Sequence, residues 1–355
     1  MIAALLAAGQ NAFAGGKGYG GFTDIIRLDC TPVKNQGGSG TCWSFATTSF
    51  LESELLRMGK GEFDLSEMFF ADRAYIDKAK LYYLYHGKTR FGQGGQAHDV
   101  MNVVREYGIV PDTVFPGKKT NGRFQDNALV KDLEVVVEKD NTGGKNFDAS
   151  DTRDLNPVLK KFIGKLPSRF KYNGQTYTAA SFRDYLGINP DDYVEITSYT
   201  HHPFYKLFAL EVPDNWSGDL YYNLPIDELM EVVENSLNTG YTLCWDGDTS
   251  EPTFSNRKAE ADVPSNEIGK VDQKLRQETF FNRTTTDDHL MHIIGISQGE
   301  DGRTYFNTKN SWGPSSNDNG GFIYLSEDYV RLKTIAILVN RAAIPQNIAK
   351  KLGLL

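Results

Sequence analysis

Residues 31–46 read Thr-Pro-Val-Lys-Asn-Gln-Gly-Gly-Ser-Gly-Thr-Cys-Trp-Ser-Phe-Ala, and this stretch indicates the fold. A glycine-rich turn leads into a helix that is predicted over residues 42–58, with Cys42 at its start and Gly59 ending it. The first N–H groups of a helix lack intrahelical acceptors and carry partial positive charge, which favours a thiolate over a thiol. Gln36 can fold back across the turn, so that its amide and the Cys42 N–H form an oxyanion hole.

A thiolate nucleophile needs a base, and six histidines are available. His289 and His292 fall in the segment Asp-Asp-His-Leu-Met-His-Ile-Ile-Gly-Ile-Ser. The apolar run after His292 predicts a buried strand. A histidine at the start of such a strand can point into a cleft while its neighbours anchor the core. For Cys42 taken alone, the alternative is a small buried apolar residue.

The segment Ser39-Gly40-Thr41-Cys42-Trp43 resembles the active-site segment of papain-like cysteine peptidases, Cys-Gly-Ser/Ala-Cys-Trp/Tyr. The nucleophile and the Trp match, whereas Ser39 replaces the first Cys, so the disulfide that papain forms there cannot form here. The bleomycin hydrolase/aminopeptidase C branch shows the same loss. In this family the catalytic His precedes an apolar strand that contains Gly. The resemblance therefore implies that His292 is the base and that His289 is structural.

The segment Asn-Ser-Trp-Gly at residues 310–313 is the second signature of the papain-like family. The resemblance implies that Asn310 accepts a hydrogen bond from the imidazole N–H and fixes the tautomer, and that Trp312 covers this bond from water. A neutral orienting group suits a Cys–His pair whose resting state is already an ion pair. In chain order, the catalytic set is Gln36, Cys42, His292 and Asn310.

The loop Gly92-Gln93-Gly94-Gly95-Gln96 precedes a helix predicted over residues 97–107. Glycine allows the backbone of a ligand to approach closely. Papain-like enzymes pair an extended substrate with a Gly-Gly at this point, so the resemblance implies that Gly94 and Gly95 bind substrate, together with Trp312. A plain glycine loop before a helix is the alternative.

The spacing between nucleophile and base indicates an insertion. His292 follows Cys42 by 250 positions, whereas the papain-like spacing is about 130–150. We assign the extra residues to about 112–205, and an insertion of this kind, with the phrase at Thr200–Leu207, resembles the bleomycin hydrolase/aminopeptidase C branch. The resemblance covers residues from about 22 to 348.

The resemblance implies an α+β, papain-like two-lobe fold with an inserted subdomain and the active-site cleft between the lobes. Residues 15–355 would form a single peptidase domain, with Cys42 in the helical lobe and a β-rich lobe over about residues 240–345. Strands are predicted over Tyr241–Trp245, His292–Ser297, Thr304–Asn310, Gly321–Leu325 and Ile335–Asn340.

Composition is ordinary for a soluble enzyme: 355 residues, 40% hydrophobic and 24% charged. The net charge is −8, and basic residues occur only in short pairs such as Lys118-Lys119, which argues against binding to nucleic acid. The adjacent His201 and His202 indicate a structural loop, because neighbouring histidines cannot easily face one metal and no carboxylate spacing supports a site. We expect peptide substrates, no metal or organic cofactor and no membrane span, and a homo-oligomer is an open alternative.

The first residues suggest the tail of a secretory signal. Ile2–Ala8 is a short apolar core, and Ala12-Phe13-Ala14 is a small-x-small pattern that predicts cleavage after Ala14. This favours a secreted or periplasmic protein, with a cytoplasmic one as the alternative. With Cys42 required as a free thiol, Cys30 and Cys244 either pair or stay buried and unpaired.

The favoured function is a cysteine aminopeptidase that removes N-terminal residues by a Cys–His–Asn mechanism. In the related branch, a C-terminal arm ends in the cleft and limits cleavage to free N-termini. Here the sequence ends at Leu355, soon after Val339-Asn340-Arg341, so either Leu355 reaches the cleft or the restriction is lost. A papain-like endopeptidase and an inactive scaffold or binding protein are the alternatives.

Overall fold

The computed structural model describes residues 13–142, 154–263 and 269–355, and in it two lobes meet along a central helix. This helix, α1 (Cys42–Arg57), is the one predicted to begin at the nucleophile. It is buried along most of its length, because helices cover one of its sides and a large sheet covers the other. The predicted α+β fold with two lobes is therefore confirmed.

The first lobe is helical, and one apolar core joins its helices. With α1, its helices are α2 (Glu67–Leu84), α3 (Ala97–Glu106), α4 (Asn127–Thr142), α5 (Asn156–Phe162) and α6 (Ala179–Leu186). The start of α3 is fixed by a capping box, in which Gln96 and Asp99 exchange side-chain and backbone hydrogen bonds. This box fixes where the preceding loop, Gly92–Gly95, ends against the helix.

The second lobe is built on a sheet with helices packed on its outer side. The strands of the chain are β1 (Phe13–Lys17), β2 (Thr23–Arg27), β3 (Phe170–Tyr172), β4 (Gln175–Tyr177), β5 (Tyr193–Thr197), β6 (Leu207–Ala209), β7 (Leu220–Asn223), β8 (Leu243–Gly247), β9 (Phe254–Ser255), β10 (Glu260–Ala261), β11 (His289–Gln298), β12 (Thr304–Lys309), β13 (Phe322–Ser326) and β14 (Thr334–Asn340). The helices of this lobe are α7 (Ile226–Asn238), α8 (Gln273–Phe281), α9 (Glu327–Lys333) and α10 (Gln346–Leu352).

The sheet runs in the order β6-β7-β5-β14-β8-β11-β12-β13-β10-β9, with β2 also paired to β11 and β1 paired to β2. The five strands predicted after residue 240 are all present. The largest difference is in β11, which begins at His289 instead of His292. This earlier start changes which histidine faces the cleft.

Alternate residues of β11 face opposite sides of the sheet and enter different cores. Leu290 and His292 face α1, whereas Met291 and Ile293 join the core beneath α7. Because β8 pairs with β11 in antiparallel register, Asp246 stands directly opposite Leu290 and shares its face. This face of the sheet therefore forms the floor between the two lobes.

Residues 112–205, predicted as an insertion, contribute to both lobes. Helices α4–α6 and the β3–β4 hairpin bury apolar side chains such as Leu133 and Phe182 in the helical core. Its last strand, β5, lies inside the large sheet between β7 and β14. The boundaries of the insertion and of the domain stay predictions.

The cysteines and the chain start bear on two further expectations. Cys30, Cys42 and Cys244 are free thiols, so the open alternative of a pair between Cys30 and Cys244 is not what forms. The signal-peptide prediction falls on residues 1–14, of which 1–12 lie outside the described residues, and the last two lie in β1. Across the described ranges, no helix combines the length and apolar character that crossing a bilayer requires.

Candidate active site

A cleft of about 840 Å³ lies between the lobes at the start of α1. It brings together six of the seven predicted site residues. These are Gln36, Cys42, Gly94, Gly95 and Trp312, which line the cleft, and Asn310, which lies behind its wall in contact with His289. The seventh, His292, lies elsewhere.

Cys42 occupies the first position of α1, where the sequence places it. Backbone N–H groups of Leu290 and Trp43 act on its sulfur and favour the thiolate. Burial has the larger effect and raises the pKa of the Cys42 thiol to about 12, with a further contribution from the nearby carboxylates of Asp246 and Asp287. In the site without substrate, the Cys42 thiol therefore resists ionisation.

His289 meets Asn310 in the geometry that a base and its orienting group require. The His289 Nε2–H donates to Asn310 Oδ1 over 2.7 Å, and the same oxygen accepts the Ser311 backbone N–H over 2.7 Å. Two donors on one oxygen fix the orientation of the Asn310 amide. The proton of the neutral imidazole is thus held at Nε2, which leaves Nδ1 unprotonated.

Trp312 covers this pair. Its ring centroid lies 4.9 Å from that of His289 with the two planes tilted by 34°, and its other side contacts Phe254. The His289 side chain is buried, and burial lowers the pKa of His289 to about 4 against the opposing effect of the Asn310 hydrogen bond. Burial of both partners opposes the resting ion pair expected from the sequence, so the attraction between thiolate and imidazolium has to offset it.

The structure contradicts the assignment of the base to His292. That side chain is fully buried, and its Nδ1 accepts a hydrogen bond over 2.8 Å from Ser49, two turns along α1 from the nucleophile. Ser49 Oγ in turn accepts from Lys309 Nζ over 2.7 Å. The physical reason is position along the strand: His289 is the first residue of β11 and lies at the cleft, whereas His292 lies three residues further along, where α1 covers it.

Gln36 is held in place by its neighbours. Its Oε1 accepts the Ser311 hydroxyl over 2.6 Å, and its Nε2 donates to Ser39 O over 2.8 Å. An amide nitrogen carries two hydrogens, so a second N–H of Gln36 is left for a ligand in the cleft. The turn before Cys42 needs glycine at Gly37, whose φ is +69°.

Gly94 and Gly95 form the opposite edge of the cleft, and close packing is what demands glycine there. A Cβ on Gly94 would lie 1.8 Å from Asp214 Oδ2, and one on Gly95 would lie 2.7 Å from Asp99 Oδ2. The buried Lys78 supports the loop from below by donating to the carbonyl of Gly94. Sequence reasoning gave no role to Lys78 or to Asp214, because both come from distant segments with no local motif.

The adjacent histidines of the Thr200–Leu207 phrase do share a carboxylate. His201 Nε2 and His202 Nε2 lie 3.0 and 2.7 Å from the two oxygens of Glu211, a carboxylate nine and ten positions away that the sequence analysis did not connect with them. Gln277 Nε2 donates to His201 Nδ1 over 3.1 Å. This donor places the His201 proton on Nε2, where a metal would have to bind. The cluster therefore fits a hydrogen-bonded loop.

The fold and the cleft define a papain-like cysteine peptidase. The model of the Peptidase C1-like family matches residues 167–353, more than half of the chain, and that of the papain family cysteine proteases matches residues 24–161. The chain belongs to the Peptidase C1-like family.

Among curated relatives, the mitochondrial Cysteine proteinase 1 of Saccharomyces cerevisiae is 24% identical over 93% of this chain and 79% of its own length. Aminopeptidase E of Lactobacillus helveticus is 26% identical over 85% of this chain and 80% of its own. The crystal structure of PepW from a Lactobacillus superposes with a TM-score of 0.76 at 19% identity, and covers 93% of this chain and 84% of that one. These similarities support the predicted branch of the family.

Proposed function

We propose that this protein is a cysteine aminopeptidase in which Cys42 is the nucleophile and His289 the base. The observation that carries the proposal is the His289–Asn310 hydrogen bond, made beside a cysteine at the first position of a helix. Relatives that are named aminopeptidases, over most of the length of both chains, support the exopeptidase assignment.

The site residues divide the reaction among themselves. His289 Nδ1 takes the thiol proton as Cys42 Sγ attacks the peptide carbonyl, and the free N–H of Gln36 and the Cys42 N–H hold the oxyanion. The imidazolium then gives its proton to the leaving amine, and the acyl-thioester remains on Cys42. His289 next removes a proton from water, which hydrolyses the thioester and regenerates the thiol. Asn310 keeps the imidazole in the required tautomer throughout.

An endopeptidase is the second candidate, and the position of Leu355 favours it. The Leu355 side chain is 76% exposed, and the chain leading to it is held against the sheet lobe by Arg341, which donates to Leu354 O. Leu355 is not among the residues that line the cleft.

Paired fluorogenic peptides with a free or an acetylated N-terminus distinguish the two candidates. Wild type and Cys42→Ala are assayed side by side under reducing conditions. Cleavage of the free-N-terminus peptide alone, absent in Cys42→Ala, is expected for the aminopeptidase. Comparable cleavage of the acetylated peptide would identify an endopeptidase. Absence of turnover with a folded wild-type protein would favour the inactive scaffold.

Peptides are the substrates that this function implies. A homo-oligomer, the absence of nucleic-acid binding and export by a signal peptide remain predictions from the sequence, with a cytoplasmic location as the alternative. Size-exclusion chromatography with light scattering, and N-terminal sequencing of the protein isolated from its own cells, test the first and the last of these.

A further inference from the structure

Asp246 is buried beside the active site, where it meets another carboxyl group. The residue is only 3% exposed, its carboxylate oxygens accept from no other residue of the described ranges, and the Asp287 carboxyl is close enough to share a proton with it. The charged group that acts on it most strongly is another carboxylate, that of Asp287. No cation of the described residues forms an ion pair with either side chain, and burying such groups without compensation is costly.

The two carboxylates lie where a ligand in the cleft can reach them. Asp246 shares its face of the sheet with Leu290, which lines the cleft and whose N–H acts on the Cys42 sulfur. Asp287 itself lines the cleft and accepts a hydrogen bond over 2.8 Å from Gln96 Nε2, in the residue that follows the glycine pair. The negative charge that this carboxyl pair shares is thus next to the glycine edge.

A third carboxylate approaches the same edge. Asp214 Oδ2 is so close to Gly94 that a Cβ on this residue would not fit. The carboxylate oxygen therefore lies directly against the backbone of Gly94. Its partner is Arg90, whose Nη1 lies 3.4 Å from Asp214 Oδ1 and whose side chain is 57% exposed. An exposed ion pair of this length is weak, so the Asp214 carboxylate can still accept a hydrogen bond from a ligand.

We propose that Asp246, Asp287 and Asp214 form an anionic subsite that binds the free α-ammonium group of the substrate peptide. The inference rests on the proposed function and supplies its specificity determinant. When a substrate peptide pairs with the backbone of Gly94–Gly95, its main-chain nitrogen lies beside the Asp214 carboxylate. An ammonium group there compensates the buried charges, whereas an acetylated nitrogen does not.

The test compares three fluorogenic amides that share one acyl side chain: the free amine, the N-acetyl form, and the α-hydroxy form, which has similar size but no charge. Asp287→Asn removes the charge but keeps a side-chain oxygen that can accept the hydrogen bond from Gln96. Asp246→Asn removes the carboxyl group of the buried residue beside Asp287. The exposed Asp318 lies outside the cleft, so Asp318→Asn is the matched control. Thermal unfolding checks that each variant is folded.

We expect wild type to prefer the free amine over the α-hydroxy amide, and Asp287→Asn to reduce this preference by about 10–100-fold, through KM more than kcat. Asp246→Asn is expected to act in the same direction and Asp318→Asn to change nothing. An equal loss on all three amides would show a structural role and overturn the proposal. An unchanged preference in Asp287→Asn and Asp246→Asn would overturn it as well.

A second pair of substrates tests whether the subsite binds a basic side chain instead of the α-ammonium group. These are two acetylated dipeptide amides that carry lysine or leucine before the cleaved residue. A preference for lysine that Asp287→Asn abolishes would overturn the proposal in favour of a subsite for a basic side chain. Failure of the proposed function is a separate result: turnover of the free amine would then survive Cys42→Ala, or would be absent from folded wild type.

Discussion

In the proposed mechanism the His289 side chain is the base, so its replacement should affect chemistry more than folding. We expect His289→Gln, which retains most of the side-chain volume, to lower kcat by about 10²–10⁴-fold. The matched variant is His292→Gln, in the same strand, whose side chain contacts Ser49 away from the cleft. It should change kcat by less than about threefold and lower the Tm instead, because it disturbs a fully buried contact. Steady-state kinetics and thermal unfolding of both variants check this, and loss of turnover in His292→Gln alone would restore the original assignment.

Asn310 acts on catalysis through His289. Its hydrogen bond raises the pKa of His289 slightly against the effect of burial, so its removal should lower that pKa further. Because the base must be unprotonated, the acid limb of kcat/KM should move to lower pH in Asn310→Ala. The plateau should also fall by about tenfold or more, because the imidazole loses its fixed tautomer. A pH–rate profile measures both changes, and a uniform loss with an unmoved acid limb would contradict this role.

The nucleophile and the orienting amide of the proposed mechanism are the residues that the sequence predicts, whereas its base is a different histidine. Cys42 and Asn310 each stand in a local motif whose residues are adjacent in the chain. The choice between His289 and His292 depends instead on where β11 begins. Alternation along the strand does not decide between them, because His292 shares its face with the cleft-lining Leu290. The start of β11 does decide, and the charged residues before His289 hide that start in the sequence.

At the scale of elements, the loop before α3 must stay thin for a substrate to lie along it. Gly95→Ala would place a Cβ 2.7 Å from Asp99 Oδ2 and 3.0 Å from the Trp43 ring. Neither group can retreat easily, because both are buried and Asp99 belongs to the capping box. We expect KM to rise by about tenfold or more and the Tm to fall, since overpacking costs about 1–3 kcal/mol. Substrate titration of Gly95→Ala against Gly59→Ala, an open position remote from the cleft, checks the effect.

Long elements with clear periodicity could be predicted from the sequence, whereas short ones could not. Helix α1 and strands β12–β14 agree with their predictions to within one or two residues. Strands β6 and β7 are three and four residues long; β7 pairs with β5, which comes from the inserted segment, and β6 pairs with β7. Such short strands form because a neighbouring strand at the edge of the sheet offers hydrogen bonds to them. Three or four residues are too few to show the alternation that predicts a strand from sequence.

The anionic subsite has the same origin at this scale. Asp214 comes from the loop between β6 and β7, Asp246 from β8, and Asp287 from the segment before β11. The β8–β11 register places Asp246 opposite Leu290, while Asp287 and Asp214 reach the cleft from the segments before β11 and between β6 and β7. Sequence separation hides such a cluster, so only the fold could reveal it.

At the scale of the whole molecule, an ion pair ties the lobes together close to the cleft. His98 of α3 lies 2.5 Å from Glu195 of β5 through its Nδ1, and its Nε2 contacts the Ser217 hydroxyl and faces Asp99 and Asp219. Burial lowers the pKa of His98, but the carboxylates of Glu195 and Asp99 outweigh it and raise the pKa to about 9. In the unfolded chain the same pKa is about 6.5.

This difference makes the stability of the protein depend on pH. The stabilisation from protonated His98 is complete below about pH 6.5 and is lost as the pH rises through about 9. The difference between the two pKa values corresponds to about 3 kcal/mol. Urea unfolding at pH 6, 7.5 and 9.5 should therefore show His98→Gln well below wild type at low pH, with the gap narrowing towards pH 9.5.

His86→Asn is the matched control, because His86 is exposed and has a left-handed φ of +54° that asparagine tolerates. It should follow wild type at every pH. Since His98 lies between Gln96 and Asp99, the two residues of the capping box that ends the substrate loop, opening of the lobes at high pH should also disturb the cleft. Peptidase activity of wild type should accordingly fall in the same pH range in which the stability gap closes, and a gap that stays constant to pH 9.5 would show that the His98–Glu195 pair does not hold the lobes by its charge.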